Sequence, residues 1–427
     1  MEFKHITKEK KIYIKNIGRG SFSSVALYKL EKNDFLFIIK EMDLNQLAEK
    51  YCLQKDNHIN EQNKKEIFKY YYKKLEDLID SEIDILKKMD HDNIIKLYGY
   101  TKKSSIYNLY MEYCDSGDAN EYLKKNCIIS ERNILGGVDD YFLNEFIKQT
   151  IDAIDYIHKM NIIHRDIKLH NILITHCNNV LVFKLSDFGF ACYDLSENGK
   201  EKLDDKMYNK YFRLCGTPLY MAPEIIFNIN YFDSKKSIVH FFYNKKIDIW
   251  SYGICLYEII FNNVLFTKNL TSINDLNKFY KENDIQNLIS KKIMENKIID
   301  INIKRLLLSI LKLNQNERYS IVKLKSYKEY EYKTQSKVKT DSEIKNILSN
   351  HNQPASVIVN ELKKHIITKP LKRENDDNNN EYENENDDKN EYDEYDDDSW
   401  EKINKISYMI TKIGLKDEFL EWLSKDT

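Results

Sequence analysis

Glycine and proline are scarce in this chain of 427 residues, with 11 and 4 copies. Collagen-like and Gly/Pro-rich low-complexity classes are thereby excluded. Each surviving glycine or proline becomes informative, because general composition does not supply it. Cysteine is also thin and unpatterned. The seven, at 52, 114, 127, 177, 192, 215 and 255, are odd in number and form no C-x-x-C pair. That argues against a disulfide framework or a thiolate metal site, and for free thiols in a reducing compartment. No apolar run approaches the length of a membrane span. The N-terminal MEFKHITKEKKIYIKN is charged where a secretory signal would be apolar. The expectation is a soluble, intracellular, cytoplasmic protein.

The formal net charge of −2 averages two unlike parts. Residues 374–398 carry fourteen acids and one Lys, so that segment holds −13 and the rest of the chain +11. A mildly basic remainder suits anionic ligands such as nucleotides, yet it contains no dense basic arm, and no nucleic-acid partner is expected. The acidic stretch could take a basic partner or fold over the basic remainder.

Hydrophobic periodicity divides the chain. Residues 11–40 read as strands (KIYIKNIG, SSVALYKL, FLFIIK), and 41–63 as a polar, irregular insertion. From about Lys64 to Met89 the pattern is helical, with Leu75, Leu78, Glu82, Leu86 and Met89 on one face. Strands follow near 94–100 and 106–113. Segment 141–160 is a helix with Phe142, Phe146, Ile147, Ile151, Ile154 and Ile157 as its apolar stripe. VLVFKLSDFGF is a strand running into a turn, and the chain is then mostly helical to about 330. The fold class expected is α+β in two lobes, a small β-rich N-lobe and a larger, mainly helical C-lobe. Beyond lie a linker (331–372) with short helices, an acidic disordered segment (373–399) and a C-terminal helix (400–427).

IIHRDIKLHNILI (162–174) concentrates the chemistry. Aliphatic ends of this kind belong to buried strands, yet they bracket His164, Arg165, Asp166, Lys168 and Asn171. An Asp followed by Lys at two and Asn at five can aim three polar ends at one point. The set suits phosphoryl transfer: a carboxylate to orient a hydroxyl, an ammonium for developing phosphate charge, and an amide oxygen for Mg²⁺. SDFGF (186–190) adds the carboxylate of Asp187 in a turn. IGRGSFSSV (17–25) places Gly18 and Gly20 between strands, where backbone could approach phosphates, although a two-glycine turn is by itself an ordinary hairpin. Lys40 ends an apolar strand and Glu82 sits on an apolar helix face. They read either as separate surface charges with buried stems or as a partly buried ion pair.

Together with GTPLYMAPE (216–224), DIWSYG (248–253) and Arg318 in NQNERYS, these motifs resemble the eukaryotic protein kinase family over residues 11–330. Five of the eleven glycines and two of the four prolines fall inside them. The resemblance implies a two-lobed kinase domain, N-lobe 11–113 and C-lobe 114–330, that uses ATP and Mg²⁺. It implies Asp166 and Lys168 as catalytic residues, and Asn171 and Asp187 as metal ligands. Ile17, Gly18, Gly20, Val25, Lys40, Glu112, Cys114, Asp118 and Leu173 would bind ATP. Glu82, Arg165, Thr217, Glu224, Asp248 and Arg318 take structural or regulatory roles, with Met111 as gatekeeper. Lys168 and Thr217 look like those of Ser/Thr kinases, which implies protein Ser/Thr substrates. MEYCDSGD, FGFA and LCGTPLYMAPE most resemble the autophagy-initiating kinases. The alternative is a pseudokinase scaffold. Departures from the family pattern are Ser23 for the third glycine, Ile38 over the adenine position, and Arg213 where many relatives carry a phosphorylatable Thr. Ser196, Tyr208 and Tyr211 are the other candidate phosphorylation positions of the activation segment.

Overall fold

The computed structural model describes residues 6–19, 23–55, 61–126, 138, 140–177, 180–194, 214–228, 243–267, 269–270, 272–296, 299 and 301–325. Gly20, Ser196, Tyr208, Tyr211, Arg213 and the three segments expected over 331–372, 373–399 and 400–427 lie outside them.

Strands β1 (Lys11–Arg19), β2 (Ser24–Leu30) and β3 (Leu36–Asp43) pair antiparallel in chain order. β5 (Ile106–Glu112) joins β3, and β4 (Leu97–Lys103) forms the far edge. The register aligns Gly18, Val25, Lys40 and Leu109 in one row across the sheet. Paired residues share a face, so the glycine turn, Val25 and Lys40 face the same way. Leu27, Ile38 and Met111 form the next row on that face. The expected Lys40 and gatekeeper positions are therefore set by strand pairing alone. On the other face Ile6, Leu30, Phe37 and Tyr110 build a small separate core.

Within the expected irregular stretch 41–63, the described residues 41–55 and 61–63 are strand and helix instead. β3 runs straight into α1 (Leu44–Lys55), and α2 begins at Glu61 and continues to Leu86. Leu44, Leu47 and Ala48 are buried with Tyr51 packed against the same core, a helical stripe diluted by polar neighbours. Asp43 caps the start, its Oδ1 accepting the Asn45 N–H at 3.0 Å. Along α2 the buried stripe is Leu75, Ile79, Glu82, Ile83 and Leu86. Leu78 is only half-buried, and Met89 lies past the helix end.

In the C-terminal lobe α3 (Ala119–Asn126) precedes α4 (Asp140–Lys159), and all six residues of the expected apolar stripe on α4 are buried. Two small antiparallel pairs follow. β6 (Ile162–Ile163) pairs with β9 (Cys192–Tyr193), and β7 (Ile172–Cys177) pairs with β8 (Val180–Leu185). The later elements among the described residues are mainly helices: α5 (Pro223–Phe227), α6 (Lys246–Phe261), α7 (Ile273–Glu282), α8 (Ile285–Met294), α9 (Ile301–Ile310) and α10 (Ile321–Lys325). α6 is buried on nearly every side. Gly253 lets it approach α9, since a Cβ there would collide with Ile310. The architecture is α+β, with a sheet-rich N-terminal lobe and a mainly helical C-terminal lobe.

Candidate active site

The aliphatic ends of 162–174 are the buried strands β6 and β7, and they fix the polar loop between them. The loop is anchored from below by Asp248, near the start of α6. Its Oδ2 accepts the His164 N–H at 2.8 Å and meets His158 Nε2 at 2.9 Å, while Oδ1 accepts the Arg165 N–H at 2.9 Å. Burial alone would push this carboxyl up; the bonds from His158 and His164 reverse that and hold it below the ordinary aspartate value. His164 is closed in by Ser186 O at 3.0 Å and by the Phe188 ring edge. His164 supports the loop and Asp248 carries it.

Above that base, Asp166 is ringed by donors. Lys168 Nζ reaches its Oδ2 at 2.8 Å, Asn171 Nδ2 the same oxygen at 3.1 Å, and Thr217 Oγ1 donates to Oδ1 at 2.7 Å. Lys168 Nζ also donates to Thr217 Oγ1 at 2.8 Å. Thr217 comes this close because Gly216 turns the chain at φ +107°, where a Cβ would sit 2.6 Å from the Arg165 carbonyl. A side chain fits neither that dihedral nor that space. Asn171 Nδ2 is further held by the Asp166 carbonyl at 2.8 Å. With its amide nitrogen so committed, its oxygen is the atom left for a ligand.

The second cluster joins the lobes. Lys40 Nζ lies 2.7 Å from Glu82 Oε1 and 3.2 Å from Asp187 Oδ1. Of the two readings weighed for Lys40 and Glu82, the ion pair is the one observed. Glu82 is buried, whereas half of the Asp187 side chain (51 %) is exposed. Burial would lower the Lys40 ammonium, but Asp187 and Glu82 outweigh it and hold it above its ordinary value. Lys40 in turn holds the Asp187 carboxyl below the ordinary range, against some loss of solvation. Asp187 adopts a left-handed backbone, φ 62° and ψ 70°, a strained position for a residue with a Cβ. A Cβ on Gly189 would contact both Asp187 and Glu82 at 3.5 Å, so the turn folds tightly onto α2.

Around these clusters, Arg165 Nε donates to Phe190 O at 2.7 Å and its NH1 to Tyr243 Oη at 2.8 Å. Arg318 holds Glu224 through two bonds of 2.8 and 2.9 Å, with the guanidinium buried. Asp118 and Leu173 are brought together by an isolated bridge, and Asp118 Oδ1 caps α3 by accepting the Glu121 N–H at 2.9 Å. Glu112 is tied by its carboxylate to Lys184 at 3.0 Å and to the Lys96 N–H at 3.2 Å. Burial pushes the Cys114 thiol up to about 12, so it is an inert group at neutral pH. A Cβ at Gly18 would meet nothing, and Ile17 is exposed nearby.

His158, Tyr243 and Lys184 were not singled out from the sequence. His158 follows Ile154 by four residues on the apolar face of α4, where a histidine reads as core filling. Tyr243 and Lys184 carry no local signal, because their partners are distant in the chain.

Residues 12–330 match the family model described as protein kinase domain. Serine/threonine-protein kinase atg1 of Dictyostelium discoideum is 30% identical over 310 residues, 72% of this chain and 37% of the relative. Serine/threonine-protein kinase ULK1 of Homo sapiens is 32% identical over 309 residues, 71% of this chain and 23% of the relative. Serine/threonine-protein kinase ATG1 of Debaryomyces hansenii is 29% identical over 285 residues, covering 58% and 28%. The matched region is well under half the length of each of these relatives. Among the described residues, no helix is long and apolar enough to cross a membrane.

Proposed function

The chain belongs to the protein kinase family, and from that premise we propose that it transfers the γ-phosphoryl group of ATP to Ser or Thr hydroxyls of proteins. The observation that carries this reading is the triangle of Asp166, Lys168 and Thr217, closed by three hydrogen bonds of 2.7–2.8 Å. A carboxylate offers about four lone-pair sites. Lys168, Asn171 and Thr217 take three of them, and the substrate hydroxyl takes the fourth. Asp166 then orients that hydroxyl and receives its proton, while Lys168 meets the negative charge that builds on the transferring phosphoryl. Lys40, kept charged by Glu82 and Asp187, neutralises the α- and β-phosphates. Ile17, Gly18, Gly20, Val25 and Leu173 enclose the nucleotide. Glu112 and Cys114 offer backbone groups to adenine, and the Asp118 oxygen not used as a helix cap faces the ribose.

The donor set fits Mg²⁺. Asn171 and Asp187 supply an amide and a carboxylate oxygen, both hard ligands, at the open end of the β7–β8 hairpin. Two protein donors are too few to fill an octahedral shell, which leaves places for phosphate oxygens and water. When bound there, the ion would supply positive charge against that of the phosphates. Ile38 makes the roof bulkier than in most relatives, so nucleotide affinity is expected at the weak end.

The test is transfer of radiolabelled phosphate to a generic basic protein, wild type against Asp166→Ala. A loss of roughly 10²–10⁴-fold is expected. Equal background from both proteins, with no thermal stabilisation by ATP and Mg²⁺, would leave the pseudokinase alternative standing instead.

A further inference from the structure

α2 spans 26 residues and carries Glu82 near its C-terminal end. That half is moored to the sheet: Lys102 Nζ meets Glu76 Oε1 at 2.7 Å, and Tyr107 Oη donates to Asp80 Oδ1 at 2.9 Å. The N-terminal half reaches back along α1 instead. There the Tyr51 and Tyr71 rings stack at 5.4 Å, only 15° from parallel, and Tyr70 meets Tyr71 edge-on at 5.3 Å.

α1 is itself fixed at its start. The Leu44 N–H donates to Ser105 O at 2.9 Å, and Ser105 Oγ donates at 2.9 Å to the Asp43 oxygen that caps the helix. Because α1 continues β3 without a break, its position is locked to the strand that carries Lys40. Lys40 and Glu82 are thus joined twice: once directly, and once through α1 and the tyrosine stack.

We propose that α1 is a built-in brace for α2, and that Tyr51 and Tyr71 are positioning residues that hold Glu82 against Lys40 without help from a partner protein. The proposal rests on the nucleotide-binding role given above to the Lys40–Glu82 pair. Tyr71 lies eleven residues before Glu82, ~16 Å along the helix axis, too far to touch the nucleotide site itself. A helix held only at one end can pivot. A pivot of an ångström or two at Glu82 breaks a 2.7 Å bond and releases the ammonium from its place on the phosphates.

The experiment is steady-state kinetics of the full chain against ATP, with melting temperature recorded for every variant. Tyr51→Ala is expected to lower kcat/KM for ATP about fivefold, the scale of one aromatic stack, with most of the change in KM. Tyr51→Phe keeps the stack and is expected to match wild type. In a Glu82→Gln background, where no ion pair is left to position, Tyr51→Ala should cause no further loss. If Tyr51→Ala lowers only the melting temperature, or if its fivefold loss persists unchanged in the Glu82→Gln background, α1 is a stability element and the brace is wrong. A Glu82→Gln variant with wild-type kinetics would overturn the underlying role of the ion pair, and the brace with it. Should Tyr51→Ala fail to fold, Tyr71→Leu loses the stack while keeping apolar volume, and is judged by the same results.

Discussion

Asp248 is fully buried and takes two backbone N–H groups and an imidazole, whereas half of the Asp187 side chain is open and its carboxylate meets the ammonium of Lys40. Both carboxyls sit below the ordinary aspartate value, but through different partners. Asp248 gets there against burial, because fixed donors surround it. Asp187 gets there chiefly through a single nearby positive charge. A carboxylate whose lone pairs are already taken can only support, while one with free oxygens and one flexible partner can exchange that partner for a ligand. The first builds the loop and the second is open to a ligand.

Removing each side chain should separate the two roles most sharply. Asp248→Ala leaves buried donors unpaired and is expected to cost at least ~3 kcal/mol, a large share of a domain's stability, read by denaturant unfolding. Asp187→Ala should leave the unfolding midpoint nearly unchanged while phosphate transfer falls by roughly 10²-fold or more. A destabilised Asp187→Ala protein, or a stable Asp248→Ala protein, would collapse the distinction.

Acid titration is the next test. A depressed folded-state pKa contributes stability that is complete above the unfolded value and lost as pH falls through the folded one. Stability should therefore hold from neutral pH to about 4, the ordinary aspartate value, and decline below it. Most of that loss should persist in Asp187→Asn, because the half-exposed carboxyl adds little. The smallest effect is expected at an exposed pair outside both clusters. Lys10→Ala removes a 2.7 Å contact to Glu31 between largely exposed side chains, and should shift stability by no more than about 0.5 kcal/mol.

The polar loop of 162–174 was readable from the chain because its residues are local: Asp166, Lys168 and Asn171 lie within six residues, and β6 and β7 hold the ends. The α4 stripe was readable for the same reason. The α1 helix was not, although Leu44, Leu47, Ala48 and Tyr51 follow helical spacing, because the polar residues between them dominate the pattern. Some contacts made at long separation left no trace either, unlike the Glu224–Arg318 pair and the loop amides on Asp248, which the family resemblance implied. His158 on Asp248 and Tyr243 on Arg165 are products of packing, as is the cap of α3 by Asp118, which shares that residue's expected ligand role. The Lys40–Glu82 pair stands between these cases, since each residue was visible and only the fold could join them.

The β7–β8 hairpin has a further mechanical meaning. Its register pairs Ile172 with Leu185, so Asn171 and Asp187 project from the two prongs of one short fork. Their separation is fixed by ladder hydrogen bonds within the C-terminal lobe, whereas Lys40 comes from the sheet of the N-terminal lobe. A shift of one lobe against the other would therefore move Lys40 relative to the fork without prying its prongs apart.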